Sequence, residues 1–264
     1  MLNKERPPLV SIIMNCHNGE KFLDDSLKSI FNQTYQNWEL IFWDNLSTDK
    51  SPVILKKYKD QRIRYFLAKK FEKLYKARNL ALEKTSGEYI CFLDTDDLWN
   101  EDFIEKHLEK IKELNCNIAY SKFFIQNEIN NKKYINEIKK LPSGFITIDL
   151  LKKYTIGINA ILLNKKIFKK FKFENNYNII GDFDFFLKLS LSESFYPIQE
   201  PLSTYRHHPN NFTNNNYDAY IDELKSWIRV NKPKFKKIRN FNYLKINILK
   251  LKIRKYLRYF LIKL

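Results

Sequence analysis

Along the first 115 residues, short runs of β-branched and aromatic side chains alternate with stretches in which apolar residues return every three or four positions. Residues 9–14 (LVSIIM), 38–44 (WELIFWD), 62–67 and 89–94 have the length and composition of strands. Between the first two, Leu23, Leu27, Ile30 and Phe31 recur at i, i+4, i+7 and i+8, which predicts a helix with one buried stripe, and Asn18 is placed to cap it. Ser47 to Asp49, followed by Pro52 and the Ile54/Tyr58 pair, predict a short capped helix. A third helix is predicted over about 72–84, ending before Gly87, and a fourth after Asn100 with Ile104, Leu108 and Ile111 on one face. Alternation at this pace implies an α/β fold with a doubly wound, mainly parallel sheet flanked by helices.

Past residue 115 the pattern weakens. Residues 117–125 read as a further strand, 126–140 as a polar loop or hairpin, and 150–163 carry helix and strand signals together. A helix returns at 182–191, with Phe183, Phe186, Leu187 and Ser190 in register. The segment 242–264 differs in kind. Ile246, Leu249, Ile253, Tyr256, Leu257, Phe260 and Leu264 project onto one apolar face. Lys245, Lys250, Lys252, Arg254, Lys255, Arg258 and Lys263, with no acidic residue, share the remainder. Such a helix can lie in a membrane interface, drawn to anionic headgroups, or dock on the protein's own core.

Composition narrows the classes. Five glycines argue against a Gly-rich phosphate loop or a dinucleotide fingerprint. Cys16, Cys91 and Cys116 lack close paired spacing, so neither a disulfide framework nor a zinc knuckle is expected, and the chain reads as cytoplasmic. No secretory signal pattern is expected at the start, and no apolar run reaches the roughly 18 residues of a membrane span. The net charge of +17 points to an anionic partner (nucleic acid, anionic lipid or a phosphate-bearing substrate), or to a lysine-rich solvated surface.

The stretch 89–99, YICFLDTDDLW, ends an apolar run with three carboxylates in four positions, Asp94, Asp96 and Asp97. Like charges at the rim of a core repel, so a bound cation is the expected counter-charge. Ligands of open α/β sheets sit beyond the carboxyl ends of the strands, so Asp44, Asp94 and residues 15–18 should share one crevice. If the chain stays extended, Asp94 and Asp96 project to one side with Cα atoms roughly 6 to 7 Å apart. A divalent cation between a carboxylate and a diphosphate fits there.

Four clusters together resemble the family 2 glycosyltransferases, the inverting enzymes of GT-A fold. Residues 8–51, PLVSIIMNCHNGEKFLDDSLKSIFNQTYQNWELIFWDNLSTDKS, look like the family's opening strand, helix, second strand and Asp-rich turn. Residues 76–97, KARNLALEKTSGEYICFLDTDD, look like its Ala-Arg-Asn helix and metal-binding DxD strand. The likeness returns in GDFDFFLKL at 181–189 and YRHHPNNFT at 205–213. It implies a GT-A domain over 1–215, with a nucleotide-sugar half at about 8–120 and an acceptor half at 121–215, followed by a helical basic extension over 216–264.

The resemblance also implies roles. Asp44 resembles the carboxylate that accepts from the nucleotide base, and Asn15, His17 and Asn18 belong to the stretch lining the base pocket. Arg78 stands where the family places a cation near the nucleotide and diphosphate. Asp94 matches the first DxD carboxylate, near ribose and sugar, and Asp96 the second, which ligates the metal. Asp182 matches the general base, and His208 a histidine that approaches the diphosphate or metal. The implied cofactor is Mn²⁺ or Mg²⁺, since a hard ion with carboxylate, phosphate and water ligands is called for. The implied donor is a nucleotide-sugar, in the first instance a UDP-sugar. The implied acceptor is a glycan, lipid-linked where synthesis runs on the inner face of the cytoplasmic membrane with peripheral contact by the protein.

This sequence departs from the pattern at Asn15-Cys16-His17-Asn18, where Pro-Thr-Tyr-Asn is usual, at Asn45-Leu46 in the Asp-rich turn, and at Gly181, where many members carry an acid. Other residues have plainer readings: Asp97 as the start of a turn, His17 and His207 as hydrogen-bonded structural histidines, Asp184 as a structural neighbour of Asp182, Cys16 and Cys91 as core. Arg206 could bind phosphate or pair with an acid. A protein binding nucleic acid or an anionic surface without transferase activity is the competing class. Its basic residues are scattered and no RNP or zinc-finger signature is present. A nucleotidyltransferase would need a Gly-rich, Arg-containing loop that NCHNGEKF does not supply.

Overall fold

The computed structural model describes residues 6–136, 139–232 and 242–262. The first half alternates as expected: β1 (Val10–Cys16), α1 (Leu23–Phe31), β2 (Trp38–Asp44), α2 (Ser51–Leu55), β3 (Ile63–Leu67), α3 (Leu74–Leu82) and β4 (Tyr89–Phe92). Their strands pair in parallel in the order β3-β2-β1-β4. β2 is buried along its whole length, because helices cover both faces of the sheet. In α1, Leu23, Leu27 and Ile30 are completely buried, each burial stabilising by about 1.5 to 3 kcal/mol.

The second half comprises β5 (Leu98–Trp99), α4 (Phe103–Leu114), β6 (Ile118–Asn127), β7 (Lys132–Ile135), α5 (Thr147–Lys152), β8 (Ile161–Asn164), α6 (Gly181–Leu189) and β9 (Tyr196–His207). Helices α7 (Phe212–Asn215), α8 (Tyr217–Asn231) and α9 (Asn242–Ile262) follow. These strands extend the sheet as β4-β8-β6-β9-β5, with β7 completing a hairpin on β6. Most paired residues lie in parallel ladders, and the antiparallel ones fall in this half.

Strand β9 has no counterpart in the sequence reading. Pro197, Glu200 and Pro201 break its alternation, and the sheet absorbs them with two register shifts beside Lys122 of β6. The parallel β6–β9 ladder then carries Arg206 and His207 to the carboxyl end of the sheet.

Several local expectations need correction. α1 starts at Leu23 without a side-chain cap. Asn18 instead adopts a left-handed φ of 57° and accepts the Thr48 N–H at 2.8 Å, tying the loop after β1 to the loop after β2. The acidic stretch does not stay extended: a turn closes from the Asp97 N–H to the Asp94 carbonyl at 3.1 Å. In α9, Leu244 and Leu251 are buried in the core that also takes Ile221, Leu224 and Trp227 of α8. Ile246, Leu249 and Ile253 of the expected apolar face are 48, 57 and 50% exposed. The side chains of Arg254, Tyr256, Leu257, Arg258, Phe260, Lys263 and Leu264 lie outside the described residues. Among the described residues, no helix is long and apolar enough to cross a membrane.

Candidate active site

Every predicted carboxylate of the first half sits where a parallel strand ends, and the turn after β4 forms the floor. Asp97 anchors that turn. Its buried carboxylate accepts the Arg206 N–H at 3.0 Å and the Asn159 amide at 2.7 Å. Burial, then the charges of Asp96 and Asp94, push its pKa well above the carboxylate range. From the other side the Ser26 hydroxyl is within 2.8 Å of the Thr95 carbonyl and 2.7 Å of the Asp97 carbonyl. Asp97 is therefore a structural residue, though it closes the 94–97 turn rather than starting a new one.

With the turn pinned, Asp94 and Asp96 diverge to different partners. Arg78, 2% exposed, donates from one nitrogen to both Asp94 oxygens at 2.6 and 2.8 Å. Asp96 Oδ2 lies 3.0 Å from His208 Nε2 and 3.3 Å from the Asn211 amide. Arg206 pairs with Asp25 at 3.2 Å and faces Glu128 at 3.6 Å.

Two clefts meet over this floor. The first, about 420 Å³, includes Asn15, His17, Asn18, Phe71, Asp94 and Asp96 in its lining. His17 donates from Nδ1 to the Asn45 carbonyl at 3.0 Å and sets its ring against Phe71, with centroids 4.8 Å apart at 67°. The Asn15 amide is buried with neither its nitrogen nor its oxygen hydrogen-bonded to protein. Asp44 stands apart from both linings. It is completely buried, accepts the Ser47 N–H at 2.7 Å, and takes the Tyr65 hydroxyl at 2.8 Å. Burial, with Asp44 as acceptor, raises the Tyr65 pKa to about 12.

The second cleft, about 440 Å³, shares Asp94, Asp96, Asn178 and Asn211 with the first and has Asp182 in its wall. Asp182 is the second residue of α6. Its Oδ1 accepts its neighbour Phe183's N–H at 2.7 Å and the Tyr75 hydroxyl at 3.2 Å. Burial raises its pKa, opposed by the Arg78 cation and by these hydrogen bonds. The carboxylate is thereby a stronger base than a solvated aspartate. Gly181 has a steric reason: a Cβ there would come within 2.3 Å of the Tyr75 ring. Tyr75 escaped the sequence reading; its signal is the spacing to Arg78, three residues apart on one helix face. Asp184 is completely buried between Lys188 at 2.7 Å and the Trp227 indole N–H at 2.8 Å, so it is the structural member of the pair.

Asp96 offers a carboxylate oxygen of the kind hard divalent cations take, and His208 Nε2, hydrogen-bonded to it at 3.0 Å, is the nitrogen that could join it. Among the described residues no group of three or more His, Cys, Asp or Glu side chains forms a complete cage. An ion held here would draw its remaining ligands from phosphate and water, the usual arrangement for Mg²⁺ with phosphorylated substrates.

Known proteins share this architecture. The chain is 31% identical over 183 residues to the Escherichia coli UDP-Glc:alpha-D-GlcNAc-diphosphoundecaprenol beta-1,3-glucosyltransferase WfgD, covering 69% of each chain. The crystal structure of S. aureus TarS 1-349 in complex with UDP-GlcNAc superposes with a TM-score of 0.65 at 15% identity, over 83% of this chain and 66% of that one. The chain thus spans just under two thirds of that TarS fragment. Mannosyltransferase PcManGT from Pyrobaculum calidifontis, in complex with GDP-Man and Mn2+, superposes with a TM-score of 0.67 at 12% identity, over 95% of this chain and 73% of that one. These structures share the GT-A fold with this chain. Residues 11–186 match the profile described as "Glycosyl transferase family 2", and with the relatives above this establishes that the chain is a glycosyltransferase belonging to that family.

Proposed function

We propose that the protein moves a sugar from a UDP-sugar to a hydroxyl of a lipid-linked glycan acceptor, with inversion at the anomeric carbon and dependence on Mn²⁺ or Mg²⁺. The observation that carries this reading is the meeting of two clefts at Asp94 and Asp96, one with an aromatic pair and an unpaired buried amide, the other with a carboxylate of raised pKa. The first cleft takes the nucleoside diphosphate, with His17, Phe71 and Asn15 against the base. Asn18 and Asp44 shape that end by bonding the loops after β1 and β2. Asp94, held by Arg78, faces the ribose and sugar. Asp96 and His208 would hold the cation, which when bound offsets the charge of the departing diphosphate.

The second cleft takes the acceptor. Its hydroxyl oxygen attacks the anomeric carbon opposite the diphosphate, forming the glycosidic bond while the bond to the phosphate oxygen breaks with its electron pair. The hydroxyl proton passes to Asp182. WfgD's name gives a UDP-sugar donor and a diphosphoundecaprenol acceptor, and the TarS neighbour holds UDP-GlcNAc, which favours these classes here. Contact with the cytoplasmic face of a membrane is part of the same reading. Ile246, Leu249 and Ile253 face outward on α9, with exposed Lys245, Lys250 and Lys252 available to anionic headgroups.

The test is UDP release from a panel of UDP-sugars with a diphosphoundecaprenol-linked glycan, titrated with Mn²⁺. Transfer is expected to require the ion and to be lost in Asp96→Ala. An Asp96→Ala protein that is well folded and fully active would overturn the assignment.

A further inference from the structure

We propose that Glu223 of α8 is a positioning residue that sets Asp182 for proton transfer; this rests on the assignment of Asp182 as the base. The chain leading into α6 carries three consecutive backbone N–H groups that converge on one carboxylate. Glu223 accepts the Asn178 N–H on Oε1 at 2.8 Å, and the Ile179 and Ile180 N–H groups on Oε2 at 3.0 and 3.1 Å. On its other side the same segment is held by Tyr75, whose hydroxyl donates to the Ile179 carbonyl at 3.1 Å and also reaches Asp182. Trp227, one turn beyond Glu223 on α8, binds Asp184. Helix α8 therefore grips the chain both before and after Asp182.

The chemistry explains why a carboxylate is needed. Charged acceptors make the stronger hydrogen bonds to backbone N–H groups, and two oxygens can serve three donors where an amide offers one. A shift of about 1 Å in a reacting group can cost about 100-fold in rate without changing what binds. The helices beyond residue 215 thereby take part in the geometry of the reaction.

The experiment compares wild type, Glu223→Gln, Glu223→Ala and Asp222→Ala, the last removing an exposed ion pair with Lys225 on the same helix. The readouts are kcat, KM for the UDP-sugar, UDP affinity by calorimetry, and amide hydrogen exchange at 178–180. Wild type that neither binds UDP nor transfers sugar would remove the underlying assignment rather than the positioning role. With wild type active, Glu223→Gln should lose about 10-fold in kcat and Glu223→Ala about 10- to 100-fold, with KM and UDP affinity within about twofold and faster exchange at 178–180. Asp222→Ala should match wild type. A folded Glu223→Gln protein with wild-type kcat sinks the proposal. So does one that fails to fold, or that loses UDP affinity in step with kcat, because the carboxylate would then be a general structural group.

Discussion

The two walls of the active site are held by different means. In the first half, Asn15, Asp44 and Asp94 stand at or just beyond the ends of β1, β2 and β4, which are neighbours in one parallel ladder. Backbone pairing of these strands brings those three positions to one end of the sheet. In the second half, Asp182 and His208 come from a helix start and a strand end, and side chains from remote elements hold them: Tyr75, Glu223 and Trp227 around Asp182, and Asp96 with the Asn211 side chain around His208. The first wall is specified by topology, the second by individual side-chain bonds. Substitutions in the second wall should therefore change chemistry more than folding.

The sharpest test of that contrast is Asp182→Asn, which removes the proposed base while keeping its shape. It should lower kcat by about 10² to 10⁴, with UDP affinity unchanged. The raised pKa of Asp182 gives a sign as well. With Asp182 as the base, activity needs its ionised form, so in wild type kcat should fall with decreasing pH at a value above that of an ordinary aspartate. Because burial makes the charged form costly in the folded state, this group favours folding below its unfolded pKa and loses that contribution as pH rises through the folded value. Asp182→Asn should then have a Tm at neutral pH no lower than wild type. A large drop in Tm would place Asp182 among the residues the fold depends on and erase the contrast.

Arg78→Met probes the join between the walls, since Arg78 pairs with Asp94 and also opposes the raised pKa of Asp182. The loss of a charge-assisted hydrogen bond should cost about 2 kcal/mol, Asp94 being partly solvated. It should also raise KM for the donor and shift the kcat–pH limb further up. Chemical denaturation and a pH–rate series read these together, and a variant altered in stability alone would reduce Arg78 to a fold residue. The smallest effect is expected from Ile246→Asp with Leu249→Asp on the outward face of α9. Stability should change by about 0.5 kcal/mol or less per site, and transfer to a soluble acceptor should persist. Sedimentation with anionic liposomes should be lost; unchanged sedimentation would remove the membrane contact.

How much of this was legible beforehand follows the same division. The first-half strands and helices were readable because parallel strands buried on both faces are written as apolar runs, and their helices as one-sided stripes. Asp182 was marked only by the family resemblance, whereas the acidic cluster at 94–97 stood out by residue type and spacing. The long strand β9 did not, because its prolines and Glu200 erase the alternation that marks a strand, and only pairing with β6 makes it one. Asn18 read as a helix cap because its type suits one, yet a left-handed turn claimed it. For α9 the sequence left two placements open: the helix has apolar residues on more than one side, and packing against α5 and α8 chose Leu244 and Leu251.

By itself the sequence determined the α/β alternation and the acidic floor, since each depends on residues close together in the chain. Tertiary structure alone decided which acids face the clefts and which are buried scaffold. It buried Asp97 against Arg206 and Asn159, tied Asp44 to Tyr65, paired Arg78 with Asp94 and Asp96 with His208, and set Glu223 behind Asp182. Those choices are made by burial and by partners about 15 to 110 positions away, and a carboxylate carries no local mark of whether its counter-group will be a protein donor or a ligand.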